Sequence, residues 1–373
     1  MVTEATGTEI VTNPRVAPGW PRMLRAARAA FDISKVVLAA VGLILLQTGW
    51  GALDRLFPES SAVAPALHAL PGGARAGAPA SVYPTSWESV RSAGWRLTEP
   101  ARILATPLIS LFALSKGSGW YVHAALAVLW VVAVGGIVGG AIARIALLQV
   151  SQMQEPGTLG AVRFALRFAL PLIATPLFPL LVMGLCALIC AGFGLLYWLP
   201  AGIGSAVGGT LLFIPLLLGL VMSLLLFGLA AGWPLVHASV AAEAEDLLDA
   251  LSRSFSYLNQ RLGKFVLCVV LAWLIGIPGL LAVDLLATAV THMAAWGVGL
   301  SAPASSLAGL SGPGAGESAI AQSVTAWPAF WRGVIGLLVR GWIYAYFWTA
   351  ASFIYLLLRH DVDGTPWTDV KDV

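Results

Sequence analysis

The chain has 373 residues, of which 58% are hydrophobic and only 10% charged, and its mean hydropathy is +0.85. Because soluble domains carry about 25% charged residues, this composition excludes an ordinary soluble protein. The 21 basic and 18 acidic residues leave a net charge of +3, too weak a positive field for nucleic-acid binding. We therefore predict a membrane protein surrounded by a lipid bilayer, with no nucleic-acid partner.

The first 35 residues form a polar segment in which Arg22, Arg25, Arg28 and Lys35 precede the first apolar run. Its stretch RMLRAARAAF is typical of a short basic amphipathic helix at an anionic lipid surface. We predict that residues 1–35 are a basic cytoplasmic segment.

Six apolar runs follow, each near the length of about 20 residues that a helix needs to cross the hydrocarbon core. They predict an all-α fold, a polytopic α-helical transmembrane bundle of about six spans with juxtamembrane amphipathic helices. The six-span domain covers 36–358, and the predicted spans are 36–53, 120–142, 170–198, 206–235, 265–291 and 333–358. Pro215 is expected to kink the fourth span because proline removes a helical hydrogen bond.

The long connection at 57–119 is predicted to be an extracytoplasmic insert. Its stretch EPARILATPLISLFAL has Pro100 at a favourable position for a helix start. The apolar run there is only about a dozen residues, too short to span a bilayer. This segment is therefore predicted to be either an interfacial or a re-entrant helix.

Four glycines in the second span form two overlapping GxxxG patterns, which allow a neighbouring helix to approach closely. They are Gly135, Gly136, Gly139 and Gly140. The pattern predicts helix packing, either within the bundle or between two copies of the chain.

The densest group of charges between apolar runs lies at 233–264, which we predict to be a helical bracket outside the bilayer. Asp249 and Arg253 stand at i, i+4 and are expected to pair. Asp246, Asp249 and Arg253 together form a candidate cytoplasmic docking surface. The sequence also leaves undecided a weak internal repeat, in which the second and third spans match the fourth and fifth.

Orientation follows from the distribution of Lys and Arg, which concentrates in the N-terminal segment, the link at 144–167, the bracket and the tail at 359–373. The positive-inside rule places these segments in the cytoplasm. We predict a multi-pass protein of the cytoplasmic (inner) membrane with both termini cytoplasmic.

Two ionised residues stand inside predicted spans, Asp284 in the fifth and Arg340 in the sixth. Asp284 follows Lys264 by 20 residues and Arg340 precedes Arg359 by 19, which in straight helices puts both about 30 Å from the cytoplasmic side. Because a charge in hydrocarbon tends to find a partner, we predict that these two side chains pair. Tyr344 lies one turn from Arg340 and would line the same polar site. The pair is either structural or part of a substrate or proton site.

The stretches DALSRSFSYLNQR (249–261) and YLLLRHDVDGT (355–365) resemble segments of a family of uncharacterised bacterial polytopic inner-membrane proteins. The resemblance covers about the last two thirds of the chain. It implies a similar six-span arrangement in a bacterial cytoplasmic membrane, and it implies no activity.

The five histidines are scattered, and the motifs HExxH, GxSxG and GxxxxGK[ST] are absent from the sequence. We predict no enzymatic activity, no catalytic or metal-binding residues and no cofactor. The favoured prediction is a structural or accessory component of a membrane assembly, with other membrane-protein subunits as partners. The alternative is a small-solute transporter or permease with a site near Asp284 and Arg340.

Overall fold

The structure is a computed structural model, and it describes residues 26–58, 87–113, 116–151, 157–199, 203–301 and 319–371. It is 89% helical, and none of the described residues lies in a strand. The predicted all-α fold is confirmed. Most of the basic segment predicted at 1–35 lies outside the described residues.

The helices of the described ranges follow one another with short connections. They are α1 (Ile33–Leu56), α2 (Trp87–Leu97), α3 (Glu99–Ser110), α4 (Ser118–Val150), α5 (Thr158–Arg167), α6 (Ala169–Gly194), α7 (Ile203–Thr210), α8 (Phe213–Glu243), α9 (Leu247–Gln260), α10 (Leu262–Gly299) and α11 (Ala319–Asp363). A 3₁₀ turn, Leu195–Trp198, continues α6. Six of the described helices are long and apolar enough to cross a membrane, namely α1, α4, α6, α8, α10 and α11.

The fourth membrane helix differs from its predicted bounds at both ends. It begins at Phe213 rather than near 206, because α7 forms a separate short helix. Pro215 therefore lies in the first turn of α8, where its missing N–H has no helical partner to lose, and the predicted kink was placed wrongly. At the other end α8 continues to Glu243, so Trp233 and His237 are buried in the bundle rather than in an external bracket.

Helices α1 and α4 run antiparallel along most of their length. Lys35 Nζ donates to Gln149 Oε1 at one end, and Asp54 Oδ1 lies 3.6 Å from His123 Nε2 at the other. Between these ends Trp130 Nε1 donates to the carbonyl of Leu45. We call the first of these the Lys35 end of the bundle.

The four glycines of α4 lie where three other helices approach it. A Cβ on Gly136 would be 3.2 Å from the backbone oxygen of Leu172 in α6, and one on Gly139 would be 2.4 Å from the ring of Trp348 in α11. Gly140 likewise faces the Leu172 side chain, and Gly135 faces Trp233 of α8. Each glycine thus accommodates a side chain or backbone of the same chain.

Helix α11 crosses this bundle obliquely. A Cβ on Gly341 would be 2.6 Å from the carbonyl oxygen of Val36, the residue after Lys35. Farther along α11, Tyr355 reaches Ser239 and Glu243 near the end of α8. Val36 is next to Lys35. Arg144, near the end of α4 that contacts Lys35, donates to Ala241 near the end of α8. Both contacts of α11 therefore lie toward the Lys35 end. A helix that followed the bundle axis could not make both contacts.

Burial differs sharply between the candidate spans. In α11, 94% of the most apolar 18-residue window is buried inside the protein, whereas in α8 the corresponding share is 11%. Helix α11 therefore lies at the centre of the fold. Helices α6, α8 and α10 lie at its periphery and leave many large apolar side chains exposed.

Candidate functional site

The first buried polar cluster forms where α8 ends. Ala244 adopts a left-handed conformation with φ of 50°, which stops the helix and turns the chain so that α9 can begin at Leu247. For a residue other than glycine this conformation costs about 1 kcal/mol. The turn places Glu243 and Glu245 side by side, facing Arg253 of α9.

Glu243 is the centre of this cluster and is almost fully buried. Its Oε1 accepts a hydrogen bond of 3.0 Å from Tyr355 and lies 3.0 Å from Nε of Arg359. Its Oε2 accepts from Arg253, whose second Nη lies 2.8 Å from Glu245. We call this the Glu243 cluster and define it by Ser239, Glu243, Glu245, Arg253, Tyr355 and Arg359.

The C-terminal tail is fastened to the same end of the bundle. Arg359 donates to the backbone oxygen of Asp369, and buried Arg144 donates to the backbone oxygen of Lys371. Tyr257 of α9 donates to Asp363 at the end of α11. The Glu243 cluster and its surroundings therefore join α4, α8, α9, α11 and the tail.

Two residues of this cluster that lie outside the membrane spans, Glu245 and Arg253, have shifted pKa values. Burial, helped by the hydrogen bond and negative charge of Glu243, raises the pKa of Glu245 to about 7. The two carboxylates raise the pKa of Arg253 further above its ordinary value, despite its partial burial. Two carboxyl groups this close share a proton more readily than they ionise together.

The predicted docking surface is only partly exposed. Asp246 and Asp249 are exposed, whereas Arg253 turns away from Asp249 toward Glu243 and Glu245. The predicted Asp249–Arg253 pair was wrong, because buried Glu243 and partly buried Glu245 together attract the guanidinium more strongly than one solvated carboxylate.

The second buried polar cluster lies at the turn between α2 and α3. Leu97, at the end of α2, packs against Gly276 of α10, and Trp273 donates a hydrogen bond of 2.9 Å to the carbonyl of Gly94. At the far end of α3, the carbonyl of Ser110 accepts from Trp120 at the start of α4. Only Thr98, in a right-handed helical conformation, separates the two helices, so α2 and α3 form a bent pair. Leu97, Glu99 and Pro100 at the bend are buried, whereas Trp95 is 63% exposed.

Charged side chains surround the bend between α2 and α3. Arg96 Nη1 lies 2.7 Å from Asp284 of α10. Buried Glu99 faces α11, with Oε2 at 3.5 Å from Arg340 Nε and Oε1 at 3.4 Å from the hydroxyl of Tyr344. With Arg102, whose positive charge also acts on Glu99, these residues make up what we call the tip cluster: Arg96, Glu99, Arg102, Asp284, Arg340 and Tyr344.

Two features describe the electrostatics of the tip cluster. Burial raises the pKa of Glu99, although Arg340, Arg102 and Arg96 act in the opposite direction. In addition, Nη1 of Arg340 is buried and has no hydrogen-bond partner among the described residues. A buried donor left in this way is expensive. The Glu243 cluster has one as well, because Nε of Arg359 is buried without a hydrogen-bond partner among the described residues.

The predicted pair between Asp284 and Arg340 was wrong. Asp284 pairs with Arg96 and Arg340 with Glu99, so each charge finds its partner on α2 or α3. The prediction assumed that α10 and α11 run straight and that α2 and α3 stay at the surface. Tyr344 does lie beside Arg340, as predicted, because both contact Glu99.

A small, almost entirely apolar cavity adjoins the tip cluster. Tyr344 and Pro100 line it on the side of the cluster, and Trp233 and Trp348 line it deeper in the bundle. Its remaining walls come from α1, α3 and α4. The cavity lies inside the bundle, and Tyr344 joins it to the charged residues.

Comparisons with protein-family models, with curated proteins and with solved structures found no match for this chain. In the described ranges, groups of three or more His, Cys, Asp and Glu side chains suited to holding a metal ion do not occur. The site is therefore interpreted from its own geometry.

Sequence reasoning missed Arg96, Glu99 and Arg102. These residues were assigned to an external insert, where charge is unremarkable. One signal was present: Glu99 stands directly before a proline that starts a helix too short to span, which is typical of a buried helix end.

Proposed function

We propose that this multi-pass membrane protein binds a small solute at the tip cluster and moves it across the bilayer. The observation that carries the proposal is the position of Glu99 and Arg340. They face one another at the bend between α2 and α3, beside a small internal cavity. Ionised groups inside a membrane bundle are expensive to bury and mark substrate or ion pathways in many transporters.

Backbone geometry supports the same proposal. Broken helices are tolerated inside a membrane protein where they are buried or line a cavity, and transporters use such helix ends to form their sites. Helices α2 and α3, of 11 and 12 residues, are interrupted at Thr98. Pro100 and Ile103, just after the turn, line the cavity.

A structural or accessory role in a membrane assembly is the second candidate. It is favoured by the many large apolar side chains that α8 and the neighbouring α6 leave exposed. Lipid would cover this surface equally well, and for that reason we rank the assembly role below transport. Stoichiometric co-purification of another membrane subunit in mild detergent would reverse the ranking.

We propose that the protein lies in a cytoplasmic membrane with its Lys35 end facing the cytoplasm. Arg144 and Arg359 lie at the same end. This arrangement follows the positive-inside rule.

Cysteine accessibility tests the transport proposal without knowledge of the solute. Cys186, Cys190 and Cys268 are first replaced by alanine to give a background without thiols. Val134→Cys then places a thiol in the cavity wall, and Val132→Cys places one on the same helix at a fully buried position away from the cavity.

A pathway for a solute requires water to reach the cavity in at least one conformation. We therefore expect a charged methanethiosulfonate reagent to modify Val134→Cys at least about tenfold faster than Val132→Cys in reconstituted vesicles. Equal, very slow modification of both variants would show a sealed core and would overturn the proposal.

A further inference from the structure

Helix α5 lies at the Lys35 end of the bundle, and its ten residues are too few to cross a bilayer. It packs against α4 through three buried side chains, Ala161, Phe164 and Ala165. Arg144, near the end of α4 that contacts Lys35, lies over the ring of Phe164 at 4.6 Å. The membrane helix α6 follows α5 directly, so α5 lies where the chain enters the bilayer.

The outer face of α5 combines large apolar side chains with positive charges. Leu159 and Leu166 are 64% and 56% exposed, and Arg163 and Arg167 are exposed beside them. These four positions fall on one side of the helix, because their spacings are three, four or seven residues. Leu170, in the first turn of α6, adds an apolar side chain that is 78% exposed. Leucine beside arginine suits a lipid–water boundary, where leucine reaches the acyl chains and arginine the phosphates.

The two arginines of this face have no acidic partner in the part of the chain that the structure describes. Neither forms an ion pair there, and α5 itself contains no Asp or Glu. Arg167 lies 5.7 Å from the ring of Phe168, a contact that leaves its positive charge in place. Side chains four residues apart on a helix are neighbours, so both guanidinium groups can reach one phosphate group.

Helix α9, at the same end of the bundle, has the opposite character. Its exposed Leu248 is accompanied by exposed Asp246 and Asp249, which repel an anion. Arg253 of α9 is held by the two carboxylates of the Glu243 cluster. The combination of exposed leucines with unpaired arginines therefore belongs to α5 and is not shared by α9.

We propose that α5 binds an anionic phospholipid of the adjacent leaflet, with the lipid phosphate between Arg163 and Arg167 and the acyl chains beside Leu166 and Leu170. Charge complementarity selects the anionic head group, and the exposed leucines select a ligand with chains over a soluble phosphate. This site is separate from the tip cluster and requires no transport.

Native mass spectrometry of the full chain in detergent tests the assignment by measuring the binding of the first lipid molecule. The probes are phosphatidylglycerol and phosphatidylcholine with the same acyl chains. We expect the double variant Arg163→Gln, Arg167→Gln to bind phosphatidylglycerol at least about tenfold more weakly than the wild type, because each arginine near an anionic lipid contributes about fivefold. Its affinity for phosphatidylcholine should be unchanged.

Matched variants separate this site from a general effect of charge. Arg91→Gln, at an exposed arginine of α2, should leave the affinity for phosphatidylglycerol unchanged. Arg163→Lys with Arg167→Lys keeps both charges and should retain most of the preference. Leu166→Gln should weaken both lipids by the same factor, because it removes a contact with the chains and none with the head group.

An undiminished preference for phosphatidylglycerol in the double glutamine variant, or an equal loss in Arg91→Gln, would overturn the proposal. Displacement of the lipid by an equal concentration of glycerol 3-phosphate would assign the site to a soluble phosphate compound instead. A dimer in light scattering that only the double glutamine variant loses would assign the face to a second copy of the chain. Modification of Val134→Cys does not depend on α5, so this proposal and the transport proposal fail separately.

Discussion

The Glu243 cluster and the tip cluster contain the same kinds of side chain and use them differently. In the Glu243 cluster one carboxylate receives close contacts from three side chains, Arg253, Tyr355 and Arg359. In the tip cluster Glu99 has only two contacts, of 3.4 and 3.5 Å. Among the described residues each cluster keeps one buried arginine donor without a hydrogen-bond partner, Nη1 of Arg340 and Nε of Arg359. The short contacts of Glu243 hold helices together, whereas the longer contacts of Glu99, next to a cavity, leave its side chain free to bind a ligand.

The largest expected effect is on the free energy of unfolding, and it differs between Glu243 and Glu99. Glu243→Gln leaves Arg253 and Arg359 without a counter-charge and should lower the free energy of unfolding by about 3 kcal/mol. Glu99→Gln should lower it by less than about 1 kcal/mol, because burial already disfavours the ionised form of Glu99. Denaturant titration in detergent micelles measures both values. Equal losses would show that the tip cluster is as structural as the Glu243 cluster.

A charge-reversal experiment sharpens the description of the tip cluster. Each single variant, Asp284→Arg, Arg96→Asp or Arg340→Asp, should destabilise the protein. Combining Asp284→Arg with Arg96→Asp should recover about 1 kcal/mol, a typical coupling for a partly exposed pair at 2.7 Å. Combining Asp284→Arg with Arg340→Asp should recover nothing. The opposite pattern of recovery would restore the pairing predicted from the sequence.

The smallest expected effect is a pH dependence that belongs to the Glu243 cluster. Glu245 binds its proton more tightly in the folded protein, with a pKa of about 7 against 4.5 for the free side chain. The stability contributed by the protonated form is therefore present below about pH 4.5 and is lost as the pH rises toward 7. Because Glu245 is partly exposed and faces Arg253 and Lys371, the change should be about 1 kcal/mol.

Glu245→Gln is the control, since it mimics the protonated side chain at every pH. The difference in melting temperature between variant and wild type should grow between pH 4.5 and 7 and then level off. A constant difference across this interval would show that Glu245 titrates normally.

The sequence predicted the helices well because their signal is local. Long apolar runs need no knowledge of neighbours, and all six candidate spans occur near their predicted positions. The errors at the ends of α8 also have local causes, since a proline fits the first turn of a helix and a left-handed alanine carries no signature in the sequence.

The sites were harder to predict because their signal is not local. Arg96 and Asp284 are 188 residues apart, and Tyr344 and Glu99 are 245 apart. Counting residues along straight helices could not reveal that α11 crosses the bundle or that α2 and α3 pack against it. The resemblance segments 249–261 and 355–365 do meet, through Tyr257 and Asp363, but nothing in either segment alone indicates the other as its partner.

The central position of α11 has a consequence for how the protein is made. Val36 and Gly341 pack against one another across 305 residues of chain. At a synthesis rate of about 5 to 20 residues per second, α1 and α4 wait on the order of half a minute before their buried neighbour is inserted. During that interval surfaces destined for the core of the protein face lipid or the insertion machinery. The incomplete bundle therefore has to persist in the membrane until the insertion of α11 completes its core.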